Sequence, residues 1–353
     1  MDGLVFPSLI LTTATMNSPP PPPTYVGDAF GLFGISITSP KDNCSVDVTI
    51  QVDEIARTAE YEATLPRKGV VYEIFPPLEY RFDRLMRVIQ PFPINIVFKV
   101  KIDDGPLMTV SHRAQVRPIN ECPYAWDHRD GNIRQQHWMF AAYVNEDHPW
   151  IDGLLREAIN TGVVSRFVGY QGSKNEVISQ VFAIWNVLQR RGFKYSSITT
   201  TSAISNRVYS QRVRFLSDSI TTSQANCVDG SVLFASVLRK IGLDVFLVLM
   251  PGHCLIGFWL DGQHRQSLFL ETTMLGQTNL QRYSEDGSLS GSLAQILGQQ
   301  TRNQASYQSF SAAISVGLQK VRSISPAEAR NNPQYQMIDI GEARKRGISP
   351  LAR

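Results

Sequence analysis

The sequence predicts an α+β protein in which an all-β domain precedes a domain of mixed helices and strands. Three observations carry this. Residues 26–120 hold apolar and polar residues in alternation, the period of a half-buried strand. Pro66, Pro76, Pro77, Pro91 and Pro93 argue against a long helix in the same stretch. Beyond residue 150 the apolar residues fall at helical spacing and then return to short strand-like runs. With 353 residues and about 150 residues per domain, two domains are expected. An apolar share of 43% suffices for two cores, and a charged share of 18% is too low for charge-driven disorder.

Residues 1–25 read as a leader and linker. Leu4 to Met16 is uncharged and fairly apolar with Pro7 inside it, but Asp2 stands where a secretory signal would carry basic charge. Ser18 and the run Pro19 to Pro23 read as a polyproline II spacer. Nothing here fixes the compartment, cytoplasmic or envelope-associated. No run of 18 uncharged apolar residues exists, so an integral membrane span is not expected.

Residues 26–120 form the expected β domain, sandwich-like in architecture. Val46, Val48, Ile50 and Val52 alternate with Asp47, Thr49, Gln51 and Asp53. Ile94, Ile96, Phe98, Val100 and Ile102 alternate in the same way, and Asp103-Asp104-Gly105-Pro106 is a turn from which Leu107–Val116 can return as a hairpin partner. No site is visible in this domain. Residues 121–150 read as an irregular linker. Asp127, His128, Asp130, His137 and His148 lie there, at spacings that match no metal-ligand pattern.

The second domain is expected over residues 151–325, with 326–353 as a C-terminal extension. Asp152 can cap a short helix carrying Leu154, Leu155, Ala158 and Ile159. Ser173 and Glu176 form a capping box ahead of Val177, Val181, Trp185 and Leu188, and Gly192 is placed to end that helix. Asn226 is an N-cap, Val228, Val232, Ala235, Leu238 and Ile241 recur at helical spacing, and Gly242 is a C-terminal stop. Three strands follow, over Leu243–Met250, His253–Leu260 and Ser267–Thr272, with Asp261-Gly262-Gln263 as a hairpin turn.

Net charge excludes one function class. Lys plus Arg is 34 and Asp plus Glu is 31, and six basic and three acidic residues among the last 33 account for the whole +3. The remainder is neutral, so no nucleic-acid partner is expected. No GxGxxG, P-loop or HExxH is present, so no cofactor and no metal are expected. The four cysteines, Cys44, Cys122, Cys227 and Cys254, form no CxxC pair. Cys44 and Cys122 could pair in an oxidising compartment.

One segment points to chemistry. Cys227 falls in the first turn of a helix, where the dipole and free N–H groups favour a thiolate. His253 opens one strand and Glu271 closes its antiparallel partner. A carboxylate there can fix the imidazole tautomer and leave the other ring nitrogen for the thiol proton. Two facing residues share a face only in an even register. A residue-number sum of 524 sets His253 opposite Glu271 with a three-residue loop, and a sum of 526 sets Glu271 diagonal to it. Cys254 faces the other way and reads as core, while His264 lies beside the turn and is expected to be exposed.

The order Cys227, His253, Glu271 resembles transglutaminase-like domains of the papain-like superfamily. The matching pieces are the Cys227 helix ending in Leu238-Arg239-Lys240-Ile241-Gly242, the strand opened by His253, and Glu271-Thr272-Thr273. Val213-Arg214-Phe215-Leu216-Ser217, together with Ile338-Asp339-Ile340 and Arg344 to Pro350, looks like a bacterial branch of that family. The core of the resemblance covers about residues 151–275. It implies a papain-like fold and a cysteine nucleophile acting on a peptide or protein amide, as a peptidase, amidase or transglutaminase-type acyltransferase. The family usually has Asp where Glu271 stands and often Gly where Ala225 stands. Cys227 N–H would be one oxyanion donor, and Gln224 is a weak candidate for the second. The alternative is a catalytically inactive scaffold or binding protein.

Overall fold

In the computed structural model helices are mixed with several sheets, an α+β architecture. The structure describes residues 3–17, 20–52, 54–127, 132–196, 205–277, 280, 287–298 and 303–351. Asp53, Ser18, Pro19, His128 and Asp130, all used in reading the sequence, lie outside these residues. The chain divides into two units. One comprises Met1–Arg134, Ser202–Gln211 and Arg346–Ser349, and the other Gln135–Thr201, Arg212–Lys345 and Pro350–Arg353.

The first unit begins with β1 (Leu4–Val5) and α1 (Pro7–Thr13). β2 (Tyr25–Gly27), β3 (Ile35–Thr38), β4 (Cys44–Gln51), β5 (Ala59–Leu65) and β6 (Val71–Phe75) follow. A single turn of helix α2 (Phe82–Leu85) precedes β7 (Phe92–Ile102), β8 (Met108–Val116), β9 (Glu121–Asp127) and β10 (Ile133–Gln135). The alternation read between Val46 and Ile50 buries those residues, and Val48 with them, in β4. β7 and β8 form the expected hairpin across Asp103–Gly105, with Val100 opposite Met108. These strands build a five-stranded sheet in the order β1-β8-β7-β4-β5, and β2-β6-β3 form a second sheet. Val46, Ile50, Ile96 and Val100 from the larger sheet share one core with Ile37, Tyr72 and Ile74 from the smaller.

Two expectations are corrected here. Residues 4–13 are not a leader separate from the domain. β1 pairs in parallel with β8, and Phe6, Leu9 and Ile10 are buried. Pro7 suits the first turn of α1, where its missing N–H costs no hydrogen bond. Nor is 121–150 irregular. β9 buries Cys122 and Ala125, and a 3-10 helix over His137–Tyr143 buries Met139, Phe140 and Tyr143 in the second unit.

The second unit continues with α3 (Trp150–Asn160), α4 (Lys174–Arg190) and β11 (Lys194–Tyr195). β12 (Val208–Arg212), whose residues up to Gln211 belong to the first unit, adds to β9 in a three-stranded sheet ordered β10-β9-β12. Then come α5 (Leu216–Thr222), β13 (Gln224–Ala225), α6 (Cys227–Lys240), β14 (Val245–Met250), β15 (His253–Trp259) and β16 (Ser267–Leu270). The chain closes through α7 (Gly287–Leu297), α8 (Gln304–Arg322), α9 (Pro326–Asn331), β17 (Gln336–Asp339) and α10 (Ile340–Lys345). Asp152 lies in the first turn of α3 rather than at its cap, which is Pro149. Ser173 and Glu176 form the capping box of α4, and Trp185 is fully buried.

The sheet that matters for function is antiparallel and ordered β16-β15-β14-β17. α6 packs on β15 and β14, and α8 packs on β16. The supposed C-terminal extension supplies β17, whose Ile338 is buried opposite Leu247, so residues 336–345 belong to this unit's core. Among the described residues no helix is long and apolar enough to cross a membrane.

Candidate active site

Asn226 starts α6 as an N-cap. Its side chain accepts from Asp229 N at 2.8 Å, and Asp229 Oδ2 accepts from Asn226 N at 3.1 Å. Asp229 is buried, and Arg214 donates to it from backbone and side chain at 2.8 and 2.7 Å. Burial nonetheless pushes the Asp229 carboxyl above its usual range. The chain just before this cap is fixed as well, because β13 pairs in parallel with β11 and Tyr195 lies opposite Ala225. Ala225 has extended backbone in that strand, so this position makes no demand for glycine. Cys227 is thereby held at the first position of a rigid helix. Cys227 is partly exposed, and its N–H has no partner among the described residues.

Gly230 lets this helix approach the acid. A Cβ added there would lie 2.6 Å from Thr272 Oγ1 and 2.9 Å from Thr272 Cβ. Thr272 follows Glu271 directly, so the close approach brings the Cys227 end of α6 against the end of β16.

β15 and β16 pair with Ile256 opposite Leu270 and Trp259 opposite Ser267. The register sum is therefore 526, one of the two even values that keep His253 and Glu271 on one face. The tighter hairpin of sum 524 is not formed. Leu260 N bonds Gln266 O at 2.8 Å, and the loop runs over residues 261–265 with His264 at φ +56°. Glu271 is diagonal to His253 and reaches it, with Oε2 2.6 Å from His253 Nε2. The other oxygen, Oε1, accepts from Thr273 N at 3.1 Å and Thr273 Oγ1 at 2.7 Å. The Cys227 side chain acts on the same imidazole and favours its charged form. With Nε2 engaged by the carboxylate, Nδ1 is the ring nitrogen left for the thiol.

A fourth residue completes the cluster. Lys320 Nζ lies 2.6 Å from Glu271 Oε2 and 2.9 Å from His253 Nε2. It is carried by the last turn of α8, and Gly317 explains how so close a seat is possible. A Cβ on Gly317 would fall 2.5 Å from Phe269 O in β16, so only glycine allows this approach without displacement. Val321 packs against Phe246, Val248 and Leu255 and fixes the helix end.

These contacts set the electrostatics. Burial lowers the His253 pKa, but the Cys227 side chain, the hydrogen bond to Glu271 and the Glu271 charge outweigh it, and Lys320 pulls the other way. The net result is a rise to about 9. Glu271 is 1% exposed, and burial favours its neutral form. The His253 and Lys320 partners overcome that and bring it down to about 2. Burial raises the Cys254 thiol, which lies in the core as expected. His264 is exposed as expected, stacks on Trp259 with ring centroids 4.7 Å apart, and pairs with Asp244 at 3.0 Å. The Gln224 side chain is exposed on β13. Cys44 and Cys122 are both free thiols.

The structure thus brings the three residues singled out from the sequence together, with His253 and Glu271 hydrogen bonded and Cys227 acting on the same ring. Lys320 and Thr273 join them through Glu271, and Asp229 holds the start of the Cys227 helix. Asp229 had a readable signal, since Asn followed three residues later by Asp is a variant of the capping box. Lys320 had none. Comparison with protein families, with curated proteins and with solved structures finds no match for this chain.

Proposed function

We propose that the protein is a cysteine-dependent acyl-transfer enzyme, most simply a peptidase or amidase, with Cys227 as nucleophile, His253 as proton carrier and Glu271 as orienting acid. The carrying observation is that Glu271 holds His253 at 2.6 Å while Cys227, a partly exposed residue at a helix start, acts on the same ring. The resemblance to transglutaminase-like domains supports the same reading. The second unit is then a papain-like domain and the first a sandwich-like β companion. A cysteine helix followed by antiparallel strands bearing the base and the acid is the arrangement this reading requires.

In this reading the Cys227 thiol gives its proton to His253 as sulfur attacks the amide carbonyl carbon. The carbonyl electron pair moves to oxygen, and Cys227 N–H donates to that oxyanion. As the C–N bond breaks, the imidazolium returns the proton to the departing nitrogen, leaving a thioester. Water, or an amine in a transglutaminase-type reaction, then attacks the thioester. His253 takes that proton and hands it to the leaving thiol. Glu271 holds the ring through Nε2 in every step, and Thr273 holds Glu271.

The test is labelling and turnover together. Cys227 should react with iodoacetamide at neutral pH faster than the same thiol in the denatured chain, and a peptide and amide library should yield products that Cys227→Ala does not form. Labelling no faster than in the denatured chain would leave the inactive scaffold reading in its place.

A further inference from the structure

Lys320 lies where a Cys-His-Glu centre does not require a lysine. Its Nζ, His253 Nε2 and Glu271 Oε2 form a triangle with edges of 2.9, 2.6 and 2.6 Å. Protons limit how those edges can be filled. An imidazolium has two N–H donors and no acceptor, so the ammonium cannot donate to it. When His253 is charged, Nε2–H points at Glu271 Oε2, and Lys320 donates to the same oxygen while facing a second cation at 2.9 Å. In the working tautomer Nε2 keeps its proton toward Glu271 and the proton that comes and goes is on Nδ1, so Lys320 acts on that proton through its charge at 2.9 Å from the ring. The ammonium therefore favours loss of the His253 proton and opposes its gain. Glu271, with a single negative charge and 1% exposure, is shared between two cations.

Resting on the reading of this site as a Cys-His-Glu centre, we propose that Lys320 is a positioning residue that limits the charge support Glu271 gives to the His253 imidazolium, so that His253 can hand its proton to the leaving group. The chemistry explains why a limit is useful. His253 is faced by Cys227 from α6, by Glu271 from the end of β16 and by Lys320 from α8. The Tyr195 phenol on β11, its pKa raised first by burial and then by the charges of Cys227 and Glu271, lies close to the same cluster. A thiolate and a buried carboxylate would together hold the proton on the ring. An acid that binds its proton too tightly is a poor donor to an amide nitrogen, because the best catalytic acid has a pKa near the working pH. Lys320 offsets one of the two negative charges. The seat is built into the fold, since Gly317 sets the distance between α8 and β16 and Val321 anchors the turn that carries Lys320. With its side chain 36% exposed, Lys320 can be replaced without opening the core.

The experiment is an NMR titration of the His253 imidazole in the full chain, assigned with His253→Gln, for wild type, Lys320→Met and Lys320→Arg. Removing a unit charge in contact with the ring should raise the His253 pKa by about one unit or more. Lys320→Arg, which keeps the charge, should return it to within about half a unit of wild type. Lys320→Gln serves in place of Lys320→Met if the latter does not fold. An unmoved or lowered His253 pKa in the neutral variants would overturn the proposal, as would a rise that arginine does not reverse. Iodoacetamide labelling of the same samples separates this from the parent reading. A titration shift with wild-type Cys227 no more reactive than a denatured-state thiol would remove the enzyme and leave the charge coupling in place.

Discussion

Glu271→Gln removes one charge from a site where three groups depend on it, and its cost should vary with pH in a set way. His253 has a folded pKa of about 9 against an ordinary 6.5. A raised pKa means that the stabilisation is complete below about 6.5 and disappears as pH rises through about 9. Glu271 has a folded pKa of about 2 against 4.5, so the same interaction is lost as pH falls from about 4.5 through about 2. The plateau therefore lies between about 4.5 and 6.5. A rise of this size in the His253 pKa corresponds to roughly 3 kcal/mol in total, of which the influence of Cys227 supplies part. On the order of 2 kcal/mol is left for Glu271. Four of the five tryptophans, all but Trp126, lie in the second unit, so urea unfolding followed by fluorescence reports mainly on it. Glu271→Gln should cost about 2 kcal/mol more at pH 6 than at pH 10. His253→Gln should abolish that difference when combined with it, because one interaction is being removed twice. Turnover in Glu271→Gln should fall by roughly 100-fold or more. An equal cost at both pH values would refute the coupling on which the site assignment depends.

Three further outcomes are expected. Cys227→Ala should lose all acyl transfer while the unfolding free energy stays within about 0.5 kcal/mol of wild type, since Asn226, Asp229 and Arg214 hold the helix start without the thiol; a large drop in stability, read by urea unfolding, would assign Cys227 to packing instead. Gly317→Ala should destabilise the second unit by about 1–3 kcal/mol, because its Cβ would meet Phe269 O at 2.5 Å and outweigh the gain in helix propensity; a more stable variant in the same assay would mean that α8 can retreat freely. Leu9→Ala should cost the first unit about 2–5 kcal/mol in a denaturant melt, whereas a leader segment would show no change.

Much of this site was legible because its constraints are local. An Asn before the helix, a Gly after it and apolar residues at helical spacing are enough to place Cys227 at the first turn of α6. Parity, the reach between facing or diagonal side chains and a short loop together restricted β15 and β16 to two useful registers, and the structure takes the one of sum 526. What decided between the two was the turn, where Asp261 accepts from the backbone of His264 and, through its side chain, from that of Gln263 at 3.1 Å, stabilising the longer loop. The N-terminal segment misled for a physical reason. An uncharged apolar stretch such as Leu4 to Met16 has the same composition whether it leaves the domain or packs inside it, and only the strand partner at Gln115 and Val116 distinguishes the two.

Lys320 marks the limit of sequence reading. A lysine in the last turn of a helix is what the helix dipole favours on any solvated surface, so its residue type carries no signal. The readable cue was one turn earlier. An isolated glycine inside a helical pattern costs about 1 kcal/mol relative to alanine and calls for a packing reason. Gly317 has that reason in Phe269 O. Sites assembled from a strand end and a distant helix should therefore be sought at such glycines, where the backbone gives up helix stability in exchange for closeness. Here Gly230 and Gly317 do this on two helices, one drawing α6 to Thr272 and the other drawing α8 to Phe269. Both contacts lie within two residues of Glu271, so the two glycines locate the carboxylate on which the Cys227–His253 pair and Lys320 converge.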